Sequence, residues 1–144
     1  MIDTHLDHAG LHVANLDESI AFYQDVFGFS VIQRWDHPRH VFIGTGAIVL
    51  SLIEMPDTCF NTDSMAHLAF PCQKASFSGI VAQIRRSGCK IISGPIPQRG
   101  GEAILFHDPS GNLLEVCYPS MVEWLQMHSH NNVTSMPGNT VQAA

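Results

Sequence analysis

Apolar residues recur with two different periods along the chain, and each period predicts one kind of element. Near the N-terminus every second residue from Ala9 to Val13 is apolar, which indicates a strand with one buried face. In the next stretch, NLDESIAFYQDVFGF, the apolar residues recur at helical spacing. Asn15 or Asp17 is the expected N-cap of this helix, and Gly28 is its expected end.

Three short strands are predicted after this helix, and the same order of elements then recurs. The first three strands are SVIQRW, HVFIG and AIVLSLIE. The repeat consists of the strand MAHLAFPC, the helix KASFSGIVAQIRRSG, and strands in CKIISGPIPQRG, EAILFHD and LLEVCY. The sequence DPSGN before the last strand is a strong turn signal. The chain therefore predicts an α+β fold of two βαβββ modules, at 4–54 and 64–118.

The segment after the second module has a different composition. The stretch PSMVEWLQM predicts a short helix whose Val122, Trp124 and Leu125 dock on the body. The remaining residues, HSHNNVTSMPGNTVQAA, are polar and include few large apolar side chains, as in flexible tails. We therefore expect a single domain over 1–120, followed by a helix and a tail over 121–144.

Composition argues against several classes of function. The 144 residues carry a formal charge of −6 and no Lys/Arg cluster, so neither nucleic acid nor an anionic membrane surface is an expected partner. No apolar run approaches transmembrane length, and the first residues lack a signal-peptide pattern. The four cysteines are far apart and never in CxxC spacing. We expect a reduced cytoplasmic protein.

The nine histidines stand out against few charged residues and point to metal or proton chemistry. His8 lies opposite the apolar face of the first strand in module one, and His67 does so in module two. Glu115 lies opposite the apolar face of the last strand. If the strands form one curved sheet, these three side chains converge. Two imidazoles and one carboxylate suit Fe²⁺, Mn²⁺, Ni²⁺ or Zn²⁺ with open coordination positions.

A structural interpretation of the same residues stays open at this point. A single histidine on a strand is commonly a hydrogen-bonded structural residue. Glu115 also has three arginines as candidate partners, namely Arg34, Arg39 and Arg99. The recurrence of His8 and His67 at the same position in both modules favours the metal site.

Three separated segments resemble the vicinal oxygen chelate superfamily: LDHAGLHVANLDESIAFYQDVFGF, MAHLAF and FHDPSGNLLEVCY. This superfamily includes glyoxalase I, bleomycin-resistance proteins, fosfomycin-resistance thiol transferases, methylmalonyl-CoA epimerase and extradiol ring-cleaving dioxygenases. The resemblance runs from Leu6 to Tyr118. It implies paired βαβββ modules that form curved mixed sheets around a metal cavity. It also implies a homodimer in which modules of two chains combine.

Carried over by position, the metal ligands of the superfamily match His8, His67 and Glu115. A fourth position, found by counting from Phe42 as from Phe106, falls at Ser51. Glyoxalase I has Glu at that position and the epimerase has Gln. Because serine is a poor metal ligand, the resemblance implies a departure from glyoxalase. Three ligands leave room for two adjacent substrate oxygens and a third small ligand, as in the extradiol dioxygenases.

The expected function is a divalent-metal-dependent, dioxygenase-like or lyase-like enzyme that chelates a small substrate through vicinal oxygens. His12, on the face of His8, is the candidate acid or base, and Arg99, in a Gly-rich loop, is the candidate holder of a substrate anion. One alternative is a metal-free drug-binding protein of the bleomycin-resistance type. Another is a glutathione or thiol transferase of the fosfomycin-resistance type. Those transferases have Thr where this chain has Gly10, a Ser-rich potassium loop and a downstream Arg that this chain lacks.

Overall fold

A computed structural model describes residues 4–56 and 64–129 of the chain. Module one consists of β1 (Ala9–Val13), α1 (Leu16–Phe27), β2 (Ser30–Asp36), β3 (Arg39–Gly44) and β4 (Val49–Glu54). Module two consists of β5 (His67–Pro71), α2 (Lys74–Arg86), β6 (Ile91–Gln98), β7 (Gly101–His107) and β8 (Leu113–Tyr118), and α3 (Met121–His128) follows. The predicted α+β class with two βαβββ modules is confirmed. Within the described residues, no helix is long and apolar enough to cross a membrane.

Helix α1 begins and ends where the sequence predicts. Asn15 is the N-cap, and its side-chain oxygen accepts a hydrogen bond from the backbone N–H of Glu18. Gly28 ends the helix in the left-handed conformation, at φ 68°, which a residue without Cβ adopts readily. Asp17, the other candidate cap, instead pairs with Arg34 on β2.

Each module forms its own four-stranded sheet, and the two sheets have the same strand order. The orders are β1-β4-β3-β2 and β5-β8-β7-β6, with the first strand of each module parallel to its last. Ser51 on β4 pairs with Gly10 of β1, and Glu115 on β8 pairs with Ala69 of β5. Ser51 and Glu115 are therefore equivalent positions on interior strands of the two sheets.

The helices cover one face of each sheet and form the core with it. In module one, Val13, Val41 and Leu52 are fully buried and belong to the same apolar cluster as the buried side of α1. Across the two modules, Phe27 of α1 packs on Phe70 of β5 with ring centroids 4.8 Å apart. Because strand side chains alternate, the residues between these core positions project from the opposite face, where the predicted site residues lie.

Helix α3 lies where the sequence predicts it, but its apolar side chains do not dock on the body. It begins at a capping box formed by Ser120 and Glu123. Val122 and Leu125 are 63% and 53% exposed, and no residue of α3 is buried. Amphipathic spacing alone led to the docking prediction, and that prediction is wrong within this chain. The predicted tail from residue 130 onward lies outside the described residues.

Candidate functional site

Glu115 is a buried carboxylate with an imidazole and a guanidinium beside it. It is 5% exposed, and its side chain projects from the face of β8 opposite the core residues Leu114 and Val116. Nε2 of His67 lies 3.3 Å from its Oε2, and Nη2 of Arg99 lies 3.6 Å from its Oε1. Because an unpaired buried carboxylate is costly, these two neighbours account for its presence in the sheet.

The imidazole of His67 presents Nε2 to Glu115 because a backbone carbonyl holds its other nitrogen. Nδ1 lies 2.8 Å from the carbonyl oxygen of Met65. A carbonyl only accepts hydrogen bonds, so Nδ1 carries the proton and the neutral ring keeps a lone pair on Nε2. This is the tautomer that a metal ligand requires, with the ring orientation fixed from behind.

His8 belongs to module one, where it directly precedes β1 rather than lying within it. Its Nδ1 is 2.7 Å from Oδ2 of Asp7, so Nε2 is again the nitrogen left for a ligand. Its ring meets Phe42 edge-on, with centroids 5.3 Å apart. No three His, Cys, Asp or Glu side chains among the described residues lie close enough to hold a metal ion. The predicted convergence of His8 with His67 and Glu115 therefore does not occur within one chain.

Arg99 reaches Glu115 from the tight turn between β6 and β7. Arg99 and Gly100 form this turn with φ values of 48° and 79°, both positive as a two-residue type I′ hairpin requires. A positive φ is unfavourable for a residue with a side chain, and the ion pair with Glu115 offsets that cost. Arg99 Nε and Gln98 Oε1 are buried without a hydrogen-bond partner among the described residues. Arg99 therefore lies beside Glu115 with one guanidinium N–H that has no hydrogen-bond partner among the described residues.

The other two candidate arginines do not contact Glu115. Nη1 of Arg34 lies 2.9 Å from Oδ1 of Asp17, and Arg39 also pairs with Asp17. Hydrogen bonds from Arg39 and Arg34 lower the pKa of the Asp17 carboxyl. Arg39 also lies 3.3 Å from Glu54. Of the three arginines considered from the sequence, Arg99 is the one that the structure places beside Glu115.

Cys117 lies on the same face of β8 as Glu115, and its Sγ is 3.3 Å from Nη2 of Arg99. Burial, together with the hydrogen bond to Glu115, raises the pKa of the Cys117 thiol to about 11. Because the thiolate is the nucleophilic form, this cysteine lines the site as a neutral thiol at neutral pH. Sequence reasoning did not single it out, although strand alternation from Glu115 would have placed it here.

His12 lies on β1, on the sheet of module one rather than that of Glu115. His12 is exposed, and its backbone oxygen accepts a hydrogen bond from Nδ2 of Asn112 at 3.0 Å. It shares a sheet face with Gly10 and Ser51, as strand alternation predicts. The structure therefore places His12 on the module-one face and does not bring it to Glu115.

Ser51 is buried, and its hydroxyl has a partner that sequence reasoning missed. Nε2 of His40 lies 2.8 Å from Ser51 Oγ. The sequence comparison of the modules took Phe106 as the residue equivalent to Phe42. The strand register shows that Leu105 is the equivalent residue, since Phe42 pairs with Ser51 and Leu105 pairs with Glu115. The β7–β8 connection is one residue longer than the β3–β4 connection, and this shifts the count without changing the equivalence of Ser51 and Glu115.

A cavity of about 320 Å³ lies beside His67, at the junction of the two modules. Leu11 of β1 and Asn112 of the β7–β8 turn are among its lining residues, but Glu115 and Arg99 are not. We therefore place the candidate site on the sheet face that carries Glu115, and the cavity adjoins that site through His67.

Comparison with known proteins gives one family and several relatives. Residues 5–116 match the model of the Glyoxalase/Bleomycin resistance protein/Dioxygenase superfamily. Virulence protein STM3117 of Salmonella typhimurium is 32% identical over 123 residues, which cover 81% of this chain and 85% of that protein. Metallothiol transferase FosB of Shouchella clausii is 27% identical over 122 residues, covering 83% and 84%. The fold is also similar to that of a mutant of the fosfomycin resistance protein FosX from Listeria monocytogenes, whose structure is complexed with Mn(II) and 1S,2S-dihydroxypropylphosphonic acid. The two superpose with a TM-score of 0.75 at 23% identity, and the match covers 89% of this chain and 99% of that one.

Proposed function

Because the chain belongs to the glyoxalase/bleomycin resistance protein/dioxygenase superfamily, we propose that it is a divalent-metal-dependent enzyme acting on a small substrate. The substrate would bind through two adjacent oxygen atoms, and the reaction would be ring-cleaving dioxygenase or lyase chemistry. The observation that carries this proposal is the pair formed by His67 Nε2 and the buried Glu115 carboxylate at 3.3 Å. An imidazole nitrogen and a carboxylate oxygen are ligand types that divalent metals take in proteins, and their closeness supports the proposal.

The donor set fits a divalent metal when His8 is added to this pair. Both histidines have Nδ1 engaged, by the Met65 carbonyl and by Asp7, so both offer Nε2. Two imidazole nitrogens and one carboxylate suit Fe²⁺, Mn²⁺, Ni²⁺ or Zn²⁺. When bound, such an ion would supply Lewis-acid polarisation of the substrate oxygens.

A second copy of the chain would complete the donor set, since each sheet carries only part of it. His8 lies on the module-one sheet, and His67 and Glu115 lie on the module-two sheet. The outer strands expose apolar side chains, among them Ile32 of β2 at 54% and Ile96 of β6 at 40%. Exposed apolar surface of this kind is typical of interfaces. We therefore propose a homodimer in which module one of one copy faces module two of the other.

Arg99 and His12 would serve the substrate rather than the metal. The guanidinium of Arg99, whose Nη2 lies 3.6 Å from Glu115 Oε1, is the proposed contact for an anionic group on the substrate. His12, exposed on the module-one face, would reach the shared site from the other side as an acid or base.

A thiol transferase of the fosfomycin-resistance type is the second candidate function. It is favoured by the similarity to FosB across more than four-fifths of both chains. It is opposed by Gly10, where such transferases have Thr, and by the β6–β7 connection, which is a tight Arg99–Gly100 turn. The metal-free binding protein is less favoured, because binding a drug without a metal does not require His67 and Glu115 to lie together.

Metal binding by the full-length chain tests the proposal. Titration calorimetry with Mn²⁺ is expected to show binding that His8→Ala, His67→Ala and Glu115→Gln each abolish. His128→Ala on α3 is the matched control, and it should bind Mn²⁺ like the wild type. Binding that all three variants retain would reject the metal site.

Three substrates then separate the candidate reactions. Oxygen uptake with catechol would support the dioxygenase, and thioester formation from the methylglyoxal–glutathione hemithioacetal would support a lyase. Thiol-dependent loss of fosfomycin would support the second candidate instead. In each assay Glu115→Gln should abolish the reaction, whereas turnover that survives this substitution would exclude the site proposed here.

A further inference from the structure

The module-one face that carries Ser51 also carries a histidine that the proposed metal site does not use. His40 lies on β3 two residues before Phe42, and side chains with this spacing share a sheet face. Its Nε2 is 2.8 Å from Oγ of Ser51. Ser51 is 5% exposed and occupies the position equivalent to Glu115. The module-one counterpart of the buried carboxylate is therefore a hydroxyl bonded to an imidazole.

Two aromatic rings fix the orientation of the His40 imidazole. Trp35 stacks on it with centroids 5.0 Å apart and an interplanar angle of 18°. Phe42 meets it at 5.0 Å and 62°, and Phe42 in turn lies 5.3 Å from the ring of His8. Trp35 also meets Phe42, with centroids 5.6 Å apart, so the rings of Trp35, His40 and Phe42 form one cluster, which the proposed metal ligand His8 joins through Phe42. An imidazole held by a hydrogen bond and by stacking is preorganised for proton transfer.

The Ser51 hydroxyl allows His40 to gain a proton without losing its contact. In the tautomer with the proton on Nε2, this nitrogen donates to Ser51 Oγ and Nδ1 keeps its lone pair. In the described part of the chain, no hydrogen-bond partner approaches Nδ1. After Nδ1 is protonated, Nε2 still donates to the hydroxyl, so the ring stays in place in both states.

Few titratable side chains of module one share the sheet face of His40 and could exchange a proton with it. His12 of β1 projects from the same sheet face, and His8, directly before β1, contacts Phe42 of that face. The charged side chains of β2, β3 and β4 project from the opposite face, namely Arg34, Asp36, Arg39 and Glu54. His12 is exposed, whereas His40 is half-buried and directly bonded to Ser51.

We propose that His40 is the catalytic base of the site and that Ser51 is its positioning residue. The proton would leave a hydroxyl of the substrate's adjacent-oxygen pair and bind His40 Nδ1. The O–H bond breaks, the N–H bond forms and the electron pair stays on the oxygen, so no redox partner is needed. This inference rests on the proposed function, because it requires the module-one face to meet His67 and Glu115. It assigns the base role to His40 and leaves to His12 only the role of acid among the two roles proposed for it above.

The test uses 4-nitrocatechol, a vicinal diol whose colour reports its ionisation, with the Mn²⁺-loaded full-length protein. In the wild type the bound probe is expected to ionise at lower pH than in His40→Gln, with the midpoint differing by about one pH unit or more, that is, about tenfold in ionised probe. Ser51→Ala should shift the midpoint in the same direction. Ser51→Thr keeps the hydroxyl and should behave as the wild type. His128→Gln is the control for loss of a histidine elsewhere.

The outcomes separate this inference from the proposed function. An unchanged midpoint in His40→Gln with Mn²⁺ still bound overturns the inference alone, as does a shift caused by His12→Gln instead. Mn²⁺ binding without probe binding also overturns it, whereas a wild type that binds no Mn²⁺ overturns the proposed function. If His40→Gln does not fold, the comparison of Ser51→Ala with Ser51→Thr decides, and equal midpoints in these two variants reject the positioning role.

Discussion

Tyr23 on α1 donates a hydrogen bond to Oδ2 of Asp108, at 3.0 Å, and thereby joins module one to the β7–β8 turn of module two. Both side chains are buried, and Tyr23 is fully so. Two further hydrogen bonds run beside it, from the backbone N–H of Ala14 to Ser110 Oγ and from Asn112 Nδ2 to the backbone oxygen of His12. The DPSGN turn, which the sequence marked only as a connection, thus also fastens the two modules together.

Tyr23→Phe is expected to lower the free energy of unfolding by about 1–3 kcal/mol, because it leaves a buried carboxylate with one donor fewer. Urea unfolding followed by circular dichroism measures this loss. The matched control is Tyr118→Phe, which removes a hydroxyl that donates to the less buried Glu102 and should cost less. Equal losses in the two variants would contradict a special role for the contact between the modules.

Asp108 should make the stability of the protein depend on pH in a particular direction. Burial raises the pKa of Asp108, although hydrogen bonds from Asn112, Tyr23 and Ser110 oppose the shift. A raised pKa in the folded state means that the carboxyl contributes stability below the ordinary aspartate value of about 3.9, and this contribution is lost as pH rises through the folded pKa. Relative to Asp108→Asn, the wild type should therefore lose stability as pH rises through the acid range.

Urea midpoints measured from acid to neutral pH for the wild type and Asp108→Asn check this sign. Asp17 provides the opposite control, because its pKa is lowered by the hydrogen bonds from Arg39 and Arg34. Its contribution is present above the ordinary aspartate pKa and is lost as pH falls. A wild type that gains stability over Asp108→Asn with rising pH would refute the assignment.

Two glycine substitutions should change stability in opposite directions. A Cβ on Gly101 would collide with the backbone oxygen and ring of Tyr118 on the neighbouring strand, so Gly101→Ala should destabilise by about 1–3 kcal/mol. Gly79 lies inside α2 with no atom within 4 Å of the added Cβ. Gly79→Ala should therefore stabilise by about 0.5–1 kcal/mol. Thermal unfolding of both variants checks the pair, and the same sign in both would contradict the packing at β7.

The fold was predictable because its signals are local. The alternation from Ala9 to Val13, the cap at Asn15 and the left-handed end at Gly28 are each determined by residues close in sequence. The recurrence of the same order of elements then indicated two modules, and the sheets have matching strand orders. Helix α3 had an equally local signal, but docking depends on a complementary surface, and Leu125 stays 53% exposed beside the described part of the chain.

The site was predictable only in part because its contacts depend on register and on tertiary placement. Alternation placed Glu115 on the correct face, but the choice of Arg99 among three arginines required the turn at Gly100. The contact between His40 and Ser51 depends on the pairing of β3 with β4, which no local pattern specifies. The distribution of His8 and Glu115 over two sheets followed only from the topology.

Mixing variants tests whether two copies of the chain share each metal site. In the proposed homodimer, a His8→Ala chain paired with a Glu115→Ala chain has one site with all three ligands and one site that lacks two. Random pairing of equal amounts makes half of the dimers mixed, so about a quarter of the wild-type Mn²⁺ sites should return. Equilibrium dialysis of refolded mixtures measures this recovery.

The matched control mixes His67→Ala with Glu115→Ala, whose altered residues lie in the same module. Every site in that mixture lacks one ligand, so no Mn²⁺ binding should return, although the dimers form in the same way. Recovery in the first mixture and none in the second would establish that His8 comes from one chain and the His67–Glu115 pair from the other. Absence of recovery in both mixtures, while the wild type binds Mn²⁺ after the same treatment, would require His8 to reach the pair within its own chain.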